Sequence, residues 1–173
     1  MRIFTRPGYR GPYQKGTFKV GYTKPMIAAE IIGIIAVIAI FGVTAWNYAG
    51  APDMVPSHYN AAGEVDGYAG KGILLFVPIV TLLLYAGMTV VAFFPRAWNY
   101  PGKIKPEKLP LAEHYTRWLL MGTKLLITAL FIYTQCCTLS GGNHVSPLVM
   151  GLLIGAMFVL IIWLFVLIRK NCC

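Results

Sequence analysis

The side chains able to do chemistry are few in this chain of 173 residues, and most of them fall in one stretch. That stretch runs Ala51-Pro-Asp-Met-Val-Pro-Ser-His-Tyr-Asn60, then Ala61-Ala-Gly-Glu-Val-Asp-Gly-Tyr-Ala-Gly70-Lys71. Imidazole titrates near neutrality and is a common metal ligand, so His58 could bind a metal or sense pH. With His144 and either Glu64 or Asp66 it could make the mixed nitrogen/oxygen site that zinc accepts. The blander reading is that His58 and Asn60 bond the loop's own backbone, while Glu64 and Asp66 cap turns or pair with Lys71. Nothing in the spacing demands a metal, and the residues read as a binding surface: Pro52, Pro56, His58, Asn60, Gly63, Glu64, Asp66 and Lys71. Pro52 and Pro56 favour extended backbone, and Gly63, Gly67 and Gly70 permit turns, so a compact, strand-like segment folded back on itself is expected.

Two ionisable residues, Glu30 and Lys124, sit inside long apolar runs. A charge in mid-bilayer costs about 2.5–3.5 kcal/mol even on lenient insertion scales, so each must face a partner, the bundle or an interface. Counted at about 1.5 Å per residue, Glu30 lies roughly 6 Å and Lys124 roughly 10 Å from the same side. Those depths suit an ion pair between the first and third runs. Snorkelling to the headgroups or a role in an ion or proton pathway are the alternatives.

The elements that must position these residues are four apolar stretches, 26–48, 72–94, 118–139 and 147–168. Each spans roughly 33 Å as a helix, against a hydrocarbon core of about 30 Å. Lipid offers no partner for backbone N–H and C=O groups, so runs of this length are expected to be helices. Hydrophobic residues make up 57% of the chain and charged ones 12%, and the mean hydropathy is +0.65, outside the range of an ordinary soluble domain. The expected fold is all-α, an integral membrane four-helix bundle with a turn-rich outer loop. The connecting segments are a basic tail at 1–25, the outer loop at 49–71, an inner loop at 95–117, a short outer loop at 140–146 and a tail at 169–173. The first run is too long, and begins too late, for a cleaved signal peptide.

A net charge of +9 raises the question of nucleic acid, and its distribution answers it. Arg2, Arg6, Arg10, Lys15, Lys19 and Lys24 precede the first run. Arg96, Lys103, Lys105, Lys108 and Arg117 lie between the second and third, and Arg169 and Lys170 follow the fourth. The 49–71 loop holds Lys71 against Asp53, Glu64 and Asp66, and 140–146 has no Lys or Arg. This is the positive-inside pattern of a multi-pass protein of the cell membrane with both termini cytoplasmic. Trp46, Tyr48, Tyr133, Trp98, Tyr100, Tyr115 and Trp118 cluster near the same boundaries. The bilayer is thus the first partner expected, and nucleic acid is not one.

Pro78 should kink the second helix or free a carbonyl there. Gly151 and Gly155 put small residues one turn apart, which suits packing within the bundle or with a second copy. The Cys136-Cys137 and Cys172-Cys173 pairs make no disulfide framework or Cys-x-x-Cys zinc motif. Phosphate loops, paired histidines on a helix, nucleophile elbows and haem-attachment motifs are missing, so neither catalysis nor a cofactor is expected.

The pattern Pro-Asp-x-x-Pro-x-His-Tyr-Asn-x-x-Gly-Glu-x-Asp-Gly-Tyr-x-x-Lys, from Pro52 to Lys71, resembles the signature loop of a bacterial and archaeal membrane family of unknown function. The same domain occurs at the start of the sporulation-delaying toxin immunity proteins. Asn99-Tyr100-Pro101, the Lys/Glu stretch after it, Tyr115 and Lys124 are similar to that family's inner loop and third helix. The likeness covers about residues 26–130, and the fourth run and tail lie beyond it. It implies a helical envelope protein without supplying a mechanism. Three functions compete on these grounds: recognition of an envelope ligand or partner, as in toxin immunity or signalling, through the outer loop; an accessory subunit of a larger membrane complex, or a homo-oligomer; and a small transporter using Glu30 and Lys124.

Overall fold

A computed structural model describes residues 22–142 and 144–173, except for the side chain of Arg96. Most of the expected basic tail at 1–25 lies outside the described residues. Four long helices, α1 (Lys24–Tyr48), α2 (Phe76–Phe93), α3 (Leu109–Leu139) and α4 (Pro147–Cys172), make up the bulk of the fold. Each of the four, α2 together with the 3-10 turn before it, is long and apolar enough to cross a bilayer. Between α1 and α2 the chain forms an antiparallel hairpin of β1 (Met54–Tyr59) and β2 (Val65–Gly70), followed by that 3-10 turn, Lys71–Leu75. The expectation of an all-α chain is corrected here: the folded-back segment pairs its backbone groups as a two-stranded sheet. Such pairing satisfies the polar backbone of a loop that Pro52 and Pro56 keep extended.

Helix bounds also differ from the apolar runs. α3 begins at Leu109, with Pro110 in its first turn, where a missing N–H costs nothing. The stretch 109–117, expected in the inner loop, is therefore helical; its polar side chains favour water but not an end to the helix. α4 continues through Arg169 and Lys170 to Cys172, because cations in a last turn complement the helix dipole.

α3 lies against each of the other three helices, and α4 packs principally on α3. The buried positions of α1 (Met26, Gly33, Val37, Ile40, Thr44) recur at spacings of three, four and seven, a single narrow seam. Among apolar side chains such as Val37, Ile40 and Met121 the centre also buries polar ones, Thr44, Thr81, Lys124, Thr128 and Gln135, whereas Ile32, Ile38, Leu83 and Val159 are more than 60% exposed. So many large apolar side chains facing outward would be costly in water. In lipid the apolar faces need no cover and polar groups gather inside, so the distribution identifies the solvent.

Pro78 is buried near the start of α2 and has no N–H for the Leu74 carbonyl four residues back. Gln135 of α3 fills that vacancy. Its Nε2 donates to Leu74 O at 2.9 Å and to Thr44 Oγ1 at 2.9 Å, while Thr44 passes its own proton to Ile40 O at 2.7 Å. One amide thus joins α1, the 3-10 turn and α3. Gln135→Leu keeps the volume but strands the Leu74 carbonyl, and a loss of about 1 kcal/mol is expected from membrane hydrogen-bond energetics. Reversible unfolding in mixed micelles is the measurement that checks it.

Candidate functional site

Two clusters carry the polar chemistry: the hairpin at one end of the bundle, and an ionic centre nearer the other. The turn of the hairpin is built by Asn60. Its Oδ1 accepts from the Ala62 and Glu64 amides at 2.9 and 3.0 Å, its N–H donates to Glu64 O at 2.8 Å, and its Nδ2 donates to Glu64 Oε2 at 3.2 Å. Gly63 completes the turn at φ +83°, where a Cβ would overlap the Val145 carbonyl. The Val145 amide donates to Gly63 O at 2.8 Å, and Glu64 and His144 form an isolated bridge, so the tip is fastened to the segment leading into α4. Tyr133 OH accepts from the Ser146 amide at 2.7 Å, and Ser146 caps α4.

The register slips twice, with Ser57 extra on β1 and Asp66 extra on β2. Bulges re-aim side chains, and this pair brings Asp66 Oδ1 to His58 Nδ1 at 2.5 Å. The contact takes up Nδ1 and leaves the Nε2 edge of an imidazole 71% exposed. Lys71 pairs loosely with Asp53 at 3.5 Å, rather than with Glu64 or Asp66, and sits over the Tyr48 ring. Among the described residues no three His, Cys, Asp or Glu side chains gather as a metal site. Val55, Pro56 and Gly63 are buried, and Met54, His58, Asp66 and Tyr68 stay exposed. Tyr59 OH shares a hydrogen bond with Thr138 Oγ1 at 3.0 Å. Burial raises the Tyr59 pKa above its ordinary 10.0, against the pull of that bond. A raised phenol pKa means that this docking contact is fully present below pH 10 and fades as pH climbs through the raised value.

The ionic centre joins three helices. Lys124 Nζ donates to Glu30 Oε1 at 2.5 Å, Glu30 Oε2 at 2.7 Å and Thr89 Oγ1 at 2.9 Å. Tyr85 OH lies 2.7 Å from Glu30 Oε2, and its ring lies 4.5 Å from the ammonium. Thr89 donates onward to Tyr85 O at 2.8 Å. The ammonium has no proton left over, and Lys124 is 2% exposed. Gly33 allows the approach, since a Cβ there would overlap the Tyr85 ring.

Near that end, the Arg117 guanidinium lies between the Tyr22 and Trp98 rings at 5.3 and 5.5 Å and donates to Ala92 O at 3.2 Å. Asn99, Tyr100 and Pro101 belong to the segment that meets the end of α4. Tyr100 packs on the cluster of Ala112, Ile168 and Cys172, and the Lys105 amide donates to Cys172 O at 2.9 Å. The Gly151 and Gly155 positions of α4 touch nothing, so the helices described here leave them open.

Four membrane-length helices with a polar interior and a hairpin over one end define a multi-pass membrane protein. Residues 35–82 match the family described as Domain of unknown function (DUF1648). The matched stretch holds the end of α1, the whole hairpin and the start of α2; Glu30, Tyr85 and Lys124 fall outside it. Comparison with curated proteins and with solved structures gives no match.

Proposed function

We propose that this chain is a non-catalytic membrane protein of the cell envelope that recognises a ligand or protein partner with the exposed side of its hairpin, in the manner of an immunity or signalling component. The observation that carries the reading is the division of labour within the hairpin. Asn60 and Gly63 are spent on the turn and its attachment, while Met54, His58, Asp66 and Tyr68 are held exposed on a braced frame. A preformed surface bearing an aromatic, a thioether and an imidazole held by the Asp66 carboxylate loses little entropy on binding, and tyrosines are frequent anchors of interfaces. The Lys and Arg of the tail and inner loop support an orientation with this surface outside the cell and the termini inside.

The saturated Glu30–Lys124 centre supports a lock between helices rather than a conduction path. The test is co-purification in mild detergent. A stoichiometric partner is expected with the native protein and is expected to be lost in Tyr68→Ala and His58→Ala, both with unchanged helix content. A partner retained by both variants would contradict the assignment of the surface.

A further inference from the structure

The end of the bundle opposite the hairpin carries cations drawn from two distant parts of the chain. Lys103, Lys105 and Lys108 belong to the segment between α2 and α3, and Arg169 and Lys170 to the last turn of α4. The segment is tied to that turn at two points. The Lys105 amide donates to Cys172 O at 2.9 Å, and Gly102 lies so close to Cys173 that a Cβ there would stand 2.9 Å from its Sγ. Beneath the tie, Ile104 and Leu111 pack on Ala112, Ile168 and Cys172. A loose loop would satisfy the charge asymmetry of a membrane protein equally well; here the fold fastens the lysines to the turn that carries Arg169 and Lys170.

All five side chains are exposed, and among the described residues none makes an ion pair or a side-chain hydrogen bond. The only acid in 99–108 and 162–173 is Glu107, so the patch favours an anion. The surface next to it says which kind. Ile162, Phe165 and Arg169 fall at i, i+3 and i+7 on one stripe of α4, and Trp163, Val166 and Lys170 repeat the spacing on the next. The four apolar side chains are 47–60% exposed, so each cation heads a strip of bare hydrocarbon surface. A soluble anion or an acidic protein would use the charge and leave the strips. An anionic phospholipid uses both, since basic pockets at the ends of membrane helices take phosphate headgroups and the lipid's tails lie beside the helix.

We propose that this composite patch binds one anionic phospholipid of the adjoining leaflet, with its phosphate held between the α4 cations and those of the 103–108 segment and an acyl chain along the exposed strips of α4. The site rests on no reading of the hairpin. Native mass spectrometry of the delipidated full chain, titrated with phosphatidylglycerol or phosphatidylethanolamine, tests it. One retained phosphatidylglycerol is expected, preferred by roughly tenfold or more, the worth of about one hydrogen bond to a charged group. Arg169→Gln/Lys170→Gln and Lys103→Gln/Lys105→Gln should each abolish the preference. Arg2→Gln/Arg6→Gln removes as much charge and should keep it. Lys105→Pro tests the tie itself: the backbone there stands at φ −63°, which proline accepts, so the change removes the bond to Cys172 along with the charge. It should retain severalfold less phosphatidylglycerol than Lys105→Gln. Equal retention of the two lipids by the native protein, a loss in Arg2→Gln/Arg6→Gln as large as in Arg169→Gln/Lys170→Gln, or equal retention by Lys105→Pro and Lys105→Gln would overturn the proposal. Circular dichroism and gel filtration of each variant separate loss of lipid from loss of fold.

Discussion

Glu30→Ala should be among the most destabilising substitutions in this protein, costing about 3–5 kcal/mol, the range seen when one partner of a buried ion pair is removed. The reason lies in which partner is left behind. Lys124 is 2% exposed and spends two of its three donors on Glu30, so removing the carboxylate leaves an ammonium with Thr89 and the face of Tyr85 alone. Removing the lysine instead is milder, because the Glu30 side chain is 17% exposed and keeps the Tyr85 hydroxyl. The ordering expected is Glu30→Ala worst, Lys124→Met intermediate, and the Glu30→Gln/Lys124→Met double variant closest to the native protein, since it buries no charge. Unfolding of each variant in lipid bicelles gives the comparison. A double variant as unstable as the worse single one would mean that the pair does more than neutralise itself.

Gly63→Ala should release the hairpin tip without disturbing the helices. The backbone there sits at φ +83°, where an L side chain costs about 1–2 kcal/mol, and the new methyl group would displace the Val145 carbonyl. The expected loss is the Val145-to-Gly63 hydrogen bond and the Glu64–His144 bridge together, because both depend on the same approach. Hydrogen exchange should rise by roughly tenfold or more at the Val145 amide, the factor that about 1.4 kcal/mol of local opening produces. Amides in the middle of α1 and α3 should exchange as before. Unchanged protection at the tip would show that the Asn60 turn holds without its anchor to α4.

The four helices were legible in the sequence because lipid leaves a chain few choices: long apolar runs must satisfy their own backbone. Their ends were less legible, since 109–117 is polar yet helical and hydropathy marks where lipid stops rather than where the helix does. Depth counting, roughly 6 Å for Glu30 and 10 Å for Lys124, left an ion pair as one of three readings, and the structure pairs them. Tyr85 and Thr89 were missed; a tyrosine well inside a run, with a threonine one turn on, was the available signal. A kink or a freed carbonyl was expected at Pro78, but the partner of that carbonyl, Gln135, is 61 positions away from Leu74, a distance that no local pattern bridges. The extended, turn-rich character of 52–71 was readable from its prolines and glycines. Its two bulges were not, and they bring Asp66 to His58, while Lys71 lies opposite Asp53 at the unbulged base of the hairpin.

Photo-crosslinking in intact membranes decides whether the exposed side of the hairpin is the proposed partner surface. A photoreactive residue replaces Met54, which is exposed on that surface, and Glu107 at the opposite end of the bundle serves as the control. A discrete adduct from position 54, absent from position 107 and lost when Tyr68→Ala is added, is expected. Adducts that form equally from both positions, or none from position 54, would contradict the proposal.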